Sequence, residues 1–335
     1  MLRKLASSLI LLFAFQCLAS AQTTRHFTFH YAFTVKDVPA GQRLRIWFPL
    51  ANSGEYQHVK VVSAKGDLSL KKNREARFGN EIYYAETSKA KGGDLHFEVV
   101  YDVVRYEHLT LGLLRPRLQN ASLDKKDSEL FLSADKLVPI TGVPAKLAAE
   151  VTAGKDSTLA KARASYDYVF ANMSYDKSGT GWGHGDVLYA CNAKKGNCTD
   201  FHSLFIAMAR SQGIPARFKI GFPLPQDKAN GDIAGYHCWA EFFDRQNGWM
   251  PVDISEAWKH PEKKDYFFGA NDANRIQFSS GRDLKLNPAQ QGEPLNYFVY
   301  PYVEVGGKEY SRVDMNFSFA DSPQREAAVT APVTK

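Results

Sequence analysis

The chain has 335 residues, which is enough for two domains of ordinary size. Hydrophobic residues make up 44% and charged residues 23%, the balance of a globular protein that folds in water. The formal net charge of +6 comes without a dense basic block, so the composition does not predict a nucleic-acid partner. It favours an anionic surface or substrate only weakly.

The first residues have the three parts of a secretory signal peptide. Arg3 and Lys4 form a charged start, Leu9 to Phe15 is a short apolar run, and Ala19-Ser20-Ala21 supplies small residues for cleavage. The apolar run is too short to span a membrane. We therefore predict a signal peptide at residues 1–21 and a secreted or periplasmic protein without a stable membrane anchor.

The cysteines predict one free thiol. Cys17 follows the sequence AFQ, which lacks small residues before the cysteine, so we prefer cleavage after Ala21 to lipid attachment. Cleavage leaves Cys191, Cys198 and Cys238, an odd number in an oxidising compartment. One disulfide and one free thiol satisfy this number, and three buried, inert thiols are the alternative.

Large apolar residues alternate with smaller or polar ones in the first third of the chain, which predicts half-buried strands. The alternating positions are Phe27, Phe29, Tyr31, Phe33 and Val35, then Leu44, Ile46 and Phe48, then Val59 and Val61, then Leu95, Phe97, Val99, Tyr101 and Val103. Turn-like segments separate these runs, and no helical period intervenes. We predict an antiparallel β-sandwich domain at residues 23–117.

Helical periodicity appears after a Lys, Asp and Ser-rich stretch at residues 120–128, which is predicted to be a linker. One helix follows a cap at Asp156 or Ser157, and a loop with four glycines at residues 179–185 comes next. A second helix begins near Cys198 and is followed by strands at residues 216–222, 235–243 and 249–253.

These patterns predict an α+β chain with a core at residues 118–258, in which the second helix packs on an antiparallel sheet. Residues 259–320 are rich in aromatic residues, Asn and Gly, and we expect them to form a C-terminal extension packed on the core. Residues 321–335 contain no large apolar side chain apart from valine and are predicted to be disordered.

Cys198 is the first candidate for chemistry, because it lies at the predicted start of a helix. Unpaired N–H groups and a partial positive charge at a helix start favour the thiolate, the form that attacks a carbonyl carbon. The same N–H groups can stabilise the oxyanion that forms. Gly196 lets the backbone turn tightly just before the sulfur.

His237 and Asp253 are the predicted partners of this thiolate. His237 lies on a predicted strand 39 residues after Cys198, and an imidazole there can pair with the thiolate and protonate a leaving amine. Asp253 ends the next strand, 16 residues after His237, where a hairpin brings it within reach of the imidazole. The order Cys, His, Asp, with each residue in a suitable predicted element, is a more specific sign of a catalytic triad than any one of these residues alone.

Three segments resemble the transglutaminase-like superfamily. GNCTDFHSLFIAMARSQGIPARF is similar to its nucleophile helix and first strand, GYHCWAEFF to its H-x-W motif, and GWMPVDIS to its G-W-x-x-x-D motif. The resemblance covers residues 156–257. It implies a papain-like core with Cys198 as nucleophile, His237 as general acid and base, and Asp253 as the residue that orients His237.

Two features of related enzymes have no matching motif. No motif identifies the additional oxyanion-binding side chain of papain-like enzymes, and Trp182 is the one candidate we can name. The acidic cluster of the calcium-dependent animal enzymes has no counterpart, so the resemblance implies no metal and no cofactor.

These cysteines and histidines allow two other arrangements, a zinc site and a disulfide. Cys198, His202, His237 and Cys238 can be drawn as a zinc site, but His237 and Cys238 are adjacent on a strand and point to opposite faces. We therefore expect His202 to be a hydrogen-bonded residue behind the helix. Cys191 and Cys238 are the candidates for a disulfide, closing a loop of about 47 residues.

The function predicted from these residues is a thiol enzyme that acts on amide bonds of peptides or proteins through a Cys198 thioester. Water as acceptor makes it a peptidase or amidase, which we favour, and an amine acceptor makes it a protein-glutamine transamidase. Cell-wall peptides are among the plausible substrates. A non-catalytic module that binds peptide or glycan ranks second, because all three catalytic residues are present.

Overall fold

Residues 22–110 and 121–323 are described by the structure, which is a computed structural model. The predicted signal peptide lies outside these residues. So do the last residues of the predicted tail, from 324 onward, and the junction at residues 111–120.

The described strands are β1 Thr24–Val38, β2 Leu44–Pro49, β3 Gln57–Gly66, β4 Lys71–Arg74, β5 Glu81–Thr87, β6 Gly93–Tyr106, β7 His108–Leu109, β8 Ser174–Tyr175, β9 Lys195–Gly196, β10 Ala216–Pro223, β11 Asn230–Asp232, β12 His237–Asp244, β13 Gly248–Val252, β14 Ala270–Asn271, β15 Arg275–Ser280, β16 Tyr302–Val305, β17 Lys308–Glu309 and β18 Val313–Asp321. The described α-helices are α1 Lys125–Leu132, α2 Val143–Val151, α3 Thr158–Asn172, α4 Val187–Ala193, α5 Cys198–Ser211 and α6 Ile254–Lys259, and a short 3₁₀ turn spans Pro261–Lys263.

The predicted α+β class and the β-sandwich are confirmed. In the described residues the first sheet of the sandwich has the order β11-β18-β1-β6-β3, and the second has the order β17-β16-β2-β5-β4. The alternating residues of β1 and β6 are buried between the sheets. Their register pairs Phe33 with Phe97, whose rings stack with centroids 5.0 Å apart. Period-two burial of large side chains therefore holds the sandwich together.

Residues 259–320 were predicted to pack on the core, but two of the strands that follow residue 300 join the sandwich instead. β18 pairs along nearly the whole of β1, and β16 pairs with β2, so the chain returns to complete both sheets of the sandwich. Asp321, the first residue of the predicted disordered tail, is the last residue of β18. The physical reason is that β1 and β2 each need a partner on their free edge, which pairing within residues 23–117 does not supply.

The outer face of the second sheet is also covered by the C-terminal part of the chain. All six residues of β2 are buried, since its outward-facing Trp47 packs in a second apolar cluster. Trp47 donates its indole N–H to the carbonyl of Pro288 at 2.8 Å. The other buried members of this cluster are Ile82, Tyr84, Leu284, Leu286, Phe298 and Tyr302.

The core sheet has the order β13-β12-β10-β15, and α5 packs against β12 and β10. Helix α5 is buried from Cys198 to Arg210, because α2, α3 and α4 cover its other side. The start of α5 is therefore shielded from solvent, and Cys198, the nucleophile candidate, lies there inside the protein and beside the core sheet.

The predicted linker contains a helix in its second half. Asp124 caps α1 by accepting the N–H of Asp127 at 2.7 Å, and Phe131 is buried with its ring 5.0 Å from that of Trp249. The polar composition of residues 120–128 concealed this helix, because only one side of it is buried. In the described part of the chain, no helix combines the length and the apolar character that crossing a membrane requires.

Candidate active site

Cys198 is placed by a capping box at the start of α5. The side chain of Asn197 accepts the N–H of Thr199 at 2.9 Å, and the carboxylate of Asp200 accepts the N–H of Asn197 at 2.9 Å. A Cβ atom at Gly196 would lie 2.2 Å from this carboxylate, so the position accepts glycine alone without rearrangement. Cys198 itself is 2% exposed.

Asp200 also fixes the glycine-rich loop to the start of α5. Its two carboxylate oxygens accept the N–H groups of Gly183 and Gly185 at 2.7 and 2.9 Å. Gly185 has a φ of +62°, and a Cβ atom there would lie 2.4 Å from Ser203 Oγ. Burial raises the pKa of Asp200, although these N–H groups oppose the shift. This role of Asp200 was not predicted from the sequence, although the spacing Asn197-x-x-Asp200 is typical of a capping box.

His237 and Asp253 meet as predicted, across the β12–β13 hairpin. His237 Nε2 lies 2.7 Å from Asp253 Oδ2, and the two residues are 4% and 0% exposed. Asp253 is also the N-cap of α6, where its other oxygen accepts the N–H of Glu256 at 3.1 Å. With Nε2 committed to Asp253, Nδ1 is the imidazole nitrogen available to Cys198.

Arg275 is a partner of Asp253 that the sequence analysis did not identify. Its Nη1 donates to Asp253 Oδ2 at 2.8 Å, to the same oxygen that faces His237. Arg275 is 2% exposed, and its guanidinium lies 5.1 Å from the centroid of the Trp239 ring. No local signal marks this residue, because β15 reaches the site by pairing with β10 rather than through proximity in the sequence.

The charges of this group favour an ion pair between Cys198 and His237. Burial opposes ionisation of Cys198, but hydrogen bonds from Cys238 and His237 outweigh it and hold its pKa well below the ordinary value. Burial likewise lowers the pKa of His237, but the Asp253 carboxylate raises it to about 10. Burial also opposes ionisation of Asp253, whose pKa the charges of His237 and Arg275 nevertheless hold well below its usual range.

Cys238 lies against the start of α5, and the predicted disulfide between Cys191 and Cys238 is wrong. All three cysteines in the described residues are free. Cys238 Sγ lies 3.7 Å from Thr199 Oγ1 and is hydrogen-bonded to Cys198. The alternation of β12 points Cys238 away from His237, as predicted, but that direction leads towards α5 and the nucleophile.

His202 lies behind the helix start, where it joins α5 to α6. Its Nε2 accepts the N–H of Ile254 at 3.0 Å, and burial lowers its pKa, so the neutral ring carries its proton on Nδ1. Cys238 Sγ lies 3.8 Å from that nitrogen. Among residues 22–110 and 121–323, no group of three or more His, Cys, Asp or Glu side chains has the arrangement of a metal site.

A cleft of about 560 Å³ opens beside this candidate site, with His237 and Arg275 in its lining. Tyr175 and Tyr236 form part of its wall, and burial together with the negative charge of Cys198 raises the pKa of both. Lys259 also lines it and is held by Glu256 at 2.7 Å. The cleft wall therefore combines aromatic faces with charged side chains close to the thiol.

Trp182, the candidate for an oxyanion-binding side chain, uses its donor elsewhere. Its indole N–H donates to the carbonyl of Gly179 at 3.1 Å, within its own loop. The first turn of α5 offers a different donor. The carbonyl of Asn197 accepts the N–H groups of Asp200 and Phe201, and its side chain accepts that of Thr199. Within the described part of the chain, the N–H of Cys198 is left without an acceptor in this turn.

Comparison with known proteins identifies the family of the chain. The sequence model of the transglutaminase-like superfamily matches residues 145–254. An uncharacterised protein from Haemophilus influenzae is 30% identical over 326 residues, covering 86% of this chain and 87% of the relative. The uncharacterised protein YebA from Bacillus subtilis is 25% identical over 155 residues, covering 41% of this chain and 21% of YebA.

A solved structure extends the likeness to the whole fold. A candidate cysteine protease from Cytophaga hutchinsonii covers 91% of this chain, with 93% of its own chain covered, at a TM-score of 0.60 and 15% identity. At this identity the likeness is one of fold. The matched region contains Cys198, His237 and Asp253, and the sequence relative spans both the sandwich and the core. The chain therefore belongs to the transglutaminase-like superfamily.

Proposed function

We propose that the protein is an exported thiol hydrolase that cleaves amide bonds in peptides or proteins. The observation that carries this proposal is the position of Cys198 at a helix start, hydrogen-bonded to His237, which is itself bonded to a buried Asp253. A thiol enzyme of this family is supported by the superfamily match and by the candidate protease with the same fold. The choice of hydrolysis rests on the chemistry of the cleft.

The first half-reaction forms a thioester. The thiolate of Cys198 attacks the amide carbonyl carbon, and the N–H of Cys198 stabilises the oxygen that becomes negative. The carbon–nitrogen bond then breaks as His237 gives its Nδ1 proton to the departing amine. Asp253 keeps the imidazole in the orientation this transfer needs, through the 2.7 Å contact at Nε2.

The second half-reaction returns the enzyme to its starting state. His237, now neutral, removes a proton from water, whose oxygen attacks the thioester carbon and releases a carboxylic acid and the thiolate. The charged lining residues Glu256 and Lys259 support water as the acceptor, because they keep the cleft hydrated. An amine acceptor would need a pocket that excludes water.

The proposal is tested by thiol labelling followed by turnover. Iodoacetamide should alkylate Cys198 selectively and faster than a free thiol below pH 7, and both effects should weaken in His237→Ala and Asp253→Asn. Cys191→Ser is the matched control and should label like the wild type. Labelling of Cys198 no faster than a free thiol would overturn the enzyme proposal.

Turnover identifies the acceptor. Cys198→Ala should lower cleavage of a peptide amide by about a thousandfold or more, because a covalent mechanism loses its nucleophile. Release of free carboxylic acid in the presence of a primary amine supports hydrolysis. Exclusive transfer of the acyl group to that amine would show a transamidase instead.

Export is a separate part of the proposal and rests on the sequence of residues 1–21. Expression of the full chain in a bacterium with a periplasm should yield a protein that begins near Gln22 in the periplasmic fraction. Mass spectrometry of the intact protein checks the cleavage site. A full-length chain retained in the cytoplasm would contradict it.

A further inference from the structure

Arg105 is a buried arginine for which the described residues supply little hydrogen-bonding. It is 3% exposed, yet its Nε has no partner in the described structure. Its Nη1 donates to the side-chain oxygen of Gln57 at 3.3 Å, a long bond to a neutral acceptor. A guanidinium has five N–H donors, and burying it away from water without an anion carries a large energetic cost.

The side chain of Arg105 borders a cavity between the sandwich and the core sheet. This interdomain cavity, of about 230 Å³, is lined by the loop at residues 52–57 and by Arg105, Arg217, Lys219, Glu241 and Gln277. Arg217, Lys219 and Glu241 project from β10 and β12 on the face opposite α5, since Phe242 packs against Phe205 of α5. None of these lining residues also lines the cleft at His237, so the cavity and the cleft are separate.

Positive charge exceeds negative charge in this lining. Arg105, Arg217 and Lys219 face Glu241 and, in the loop, Glu55. Glu241 is already engaged by Arg217 at 2.6 Å. Burial lowers the pKa of Lys219 to about 7, and the positive charge of Arg217 adds to this effect while Glu241 opposes it. The protein thus holds three basic groups together where water access is limited.

We propose that the interdomain cavity is a binding site for a small oxyanion, a carboxylate or phosphate group, held by Arg105, Lys219 and Arg217. Arg105 supplies guanidinium N–H groups beyond the one bonded to Gln57. Lys219, whose Nζ donates to Ser280 Oγ at 2.9 Å, retains two further N–H donors when charged. The volume accommodates a phosphate ion or a small carboxylic acid, and the basic groups lie on two strands, Arg105 on β6 and both Arg217 and Lys219 on β10.

The site has a connection to the catalytic group through Trp239. The guanidinium of Arg105 lies 6.0 Å from the centroid of the Trp239 ring, and that of Arg275 lies 5.1 Å from the same centroid. An anion bound at Arg105 changes the field at this indole, so tryptophan fluorescence supplies an optical signal of binding.

Calorimetric titration of the mature protein with inorganic phosphate and with acetate, each against chloride at equal ionic strength, tests the site. We expect saturable one-site binding of phosphate or of acetate, and the tighter of the two identifies the ligand class. Arg105→Gln should weaken that binding at least about tenfold, because it removes a charged hydrogen bond. The fluorescence change should weaken in parallel.

Lys219→Gln supplies a second variant in the same cavity and should also weaken binding, which keeps the test decisive if Arg105→Gln does not fold. Arg43→Gln, which removes an exposed arginine, is the matched control and should bind like the wild type. Binding of neither anion, or equal affinity in Lys219→Gln and the wild type, would overturn the proposal.

Discussion

Two buried arginines near the Trp239 ring, Arg275 and Arg105, differ in how their charges are paired. Arg275 is bonded to the Asp253 carboxylate and lies 3.4 Å from that of Asp272, whereas the side-chain acceptor that the described residues offer Arg105 is the amide oxygen of Gln57 at 3.3 Å. Burial lowers the pKa of Arg105 to about 10, and the positive charge of Arg275 adds to the shift. A paired buried charge indicates an internal positioning role, and an unpaired one indicates a ligand.

The largest expected effect comes from exchanging each arginine for glutamine. Arg275→Gln leaves Asp253 with one fewer positive partner inside the protein, and we expect the free energy of unfolding to fall by about 3 kcal/mol. Arg105→Gln removes a charge without a carboxylate partner, so in anion-free buffer the loss should stay within about 1 kcal/mol. Urea unfolding measures both. Equal losses of unfolding free energy in the two variants would contradict the assignment of Arg275 as a paired charge and Arg105 as an unpaired one.

The pH at which the protein begins to lose stability in acid should rise in Arg275→Gln. Asp253 has a depressed pKa in the folded protein, so its contribution to stability is present above the unfolded value and is lost as pH falls through the folded pKa. Arg275→Gln raises that folded pKa, and the loss should begin at a higher pH than in the wild type. Arg275→Lys, which keeps the charge, should restore part of the difference.

The next prediction concerns the alkaline limit of activity. The folded pKa of His237 is raised to about 10, so its stabilising contribution is complete below the unfolded value near 6.5 and is lost as pH rises through about 10. Amide cleavage should decline over the same alkaline range, because neutral His237 cannot protonate the leaving amine. Asp253→Asn should shift this decline of kcat/KM to lower pH, and an unchanged profile would contradict the role of Asp253.

The smallest expected effect concerns the thiol beside the nucleophile. Cys238 is hydrogen-bonded to Cys198 and helps to lower its pKa. Cys238→Ala should therefore slow the alkylation of Cys198 at mildly acidic pH by a few fold, about the effect of one hydrogen bond. Cys191→Ala, on α4, should leave the rate unchanged. A rate in Cys238→Ala equal to that of the wild type would show that His237 alone sustains the thiolate.

The sequence predicted the parts of the site that local periodicity encodes. Gly196 and Asn197 mark the start of α5, and the alternation of β12 separates His237 from Cys238. Because a short hairpin joins β12 to β13, the register of these strands was enough to predict that Asp253 lies close to His237. The residues of β1 and β6 predicted the sandwich in the same way, because burial on one face leaves a period of two in the sequence.

Tertiary structure alone decided everything that depends on contacts between distant segments. Cys238 contacts Cys198 and Arg275 contacts Asp253 through packing that no local pattern encodes. In the same way, β18 and β16 complete the sandwich by pairing with distant strands. The lack of a bonded carboxylate at Arg105 among the described residues was equally impossible to predict. A single arginine in a strand gives the same sequence pattern whether or not a carboxylate faces it in the fold. A charge at a given place in the sequence acquires its role from the low-dielectric surroundings that folding brings to it.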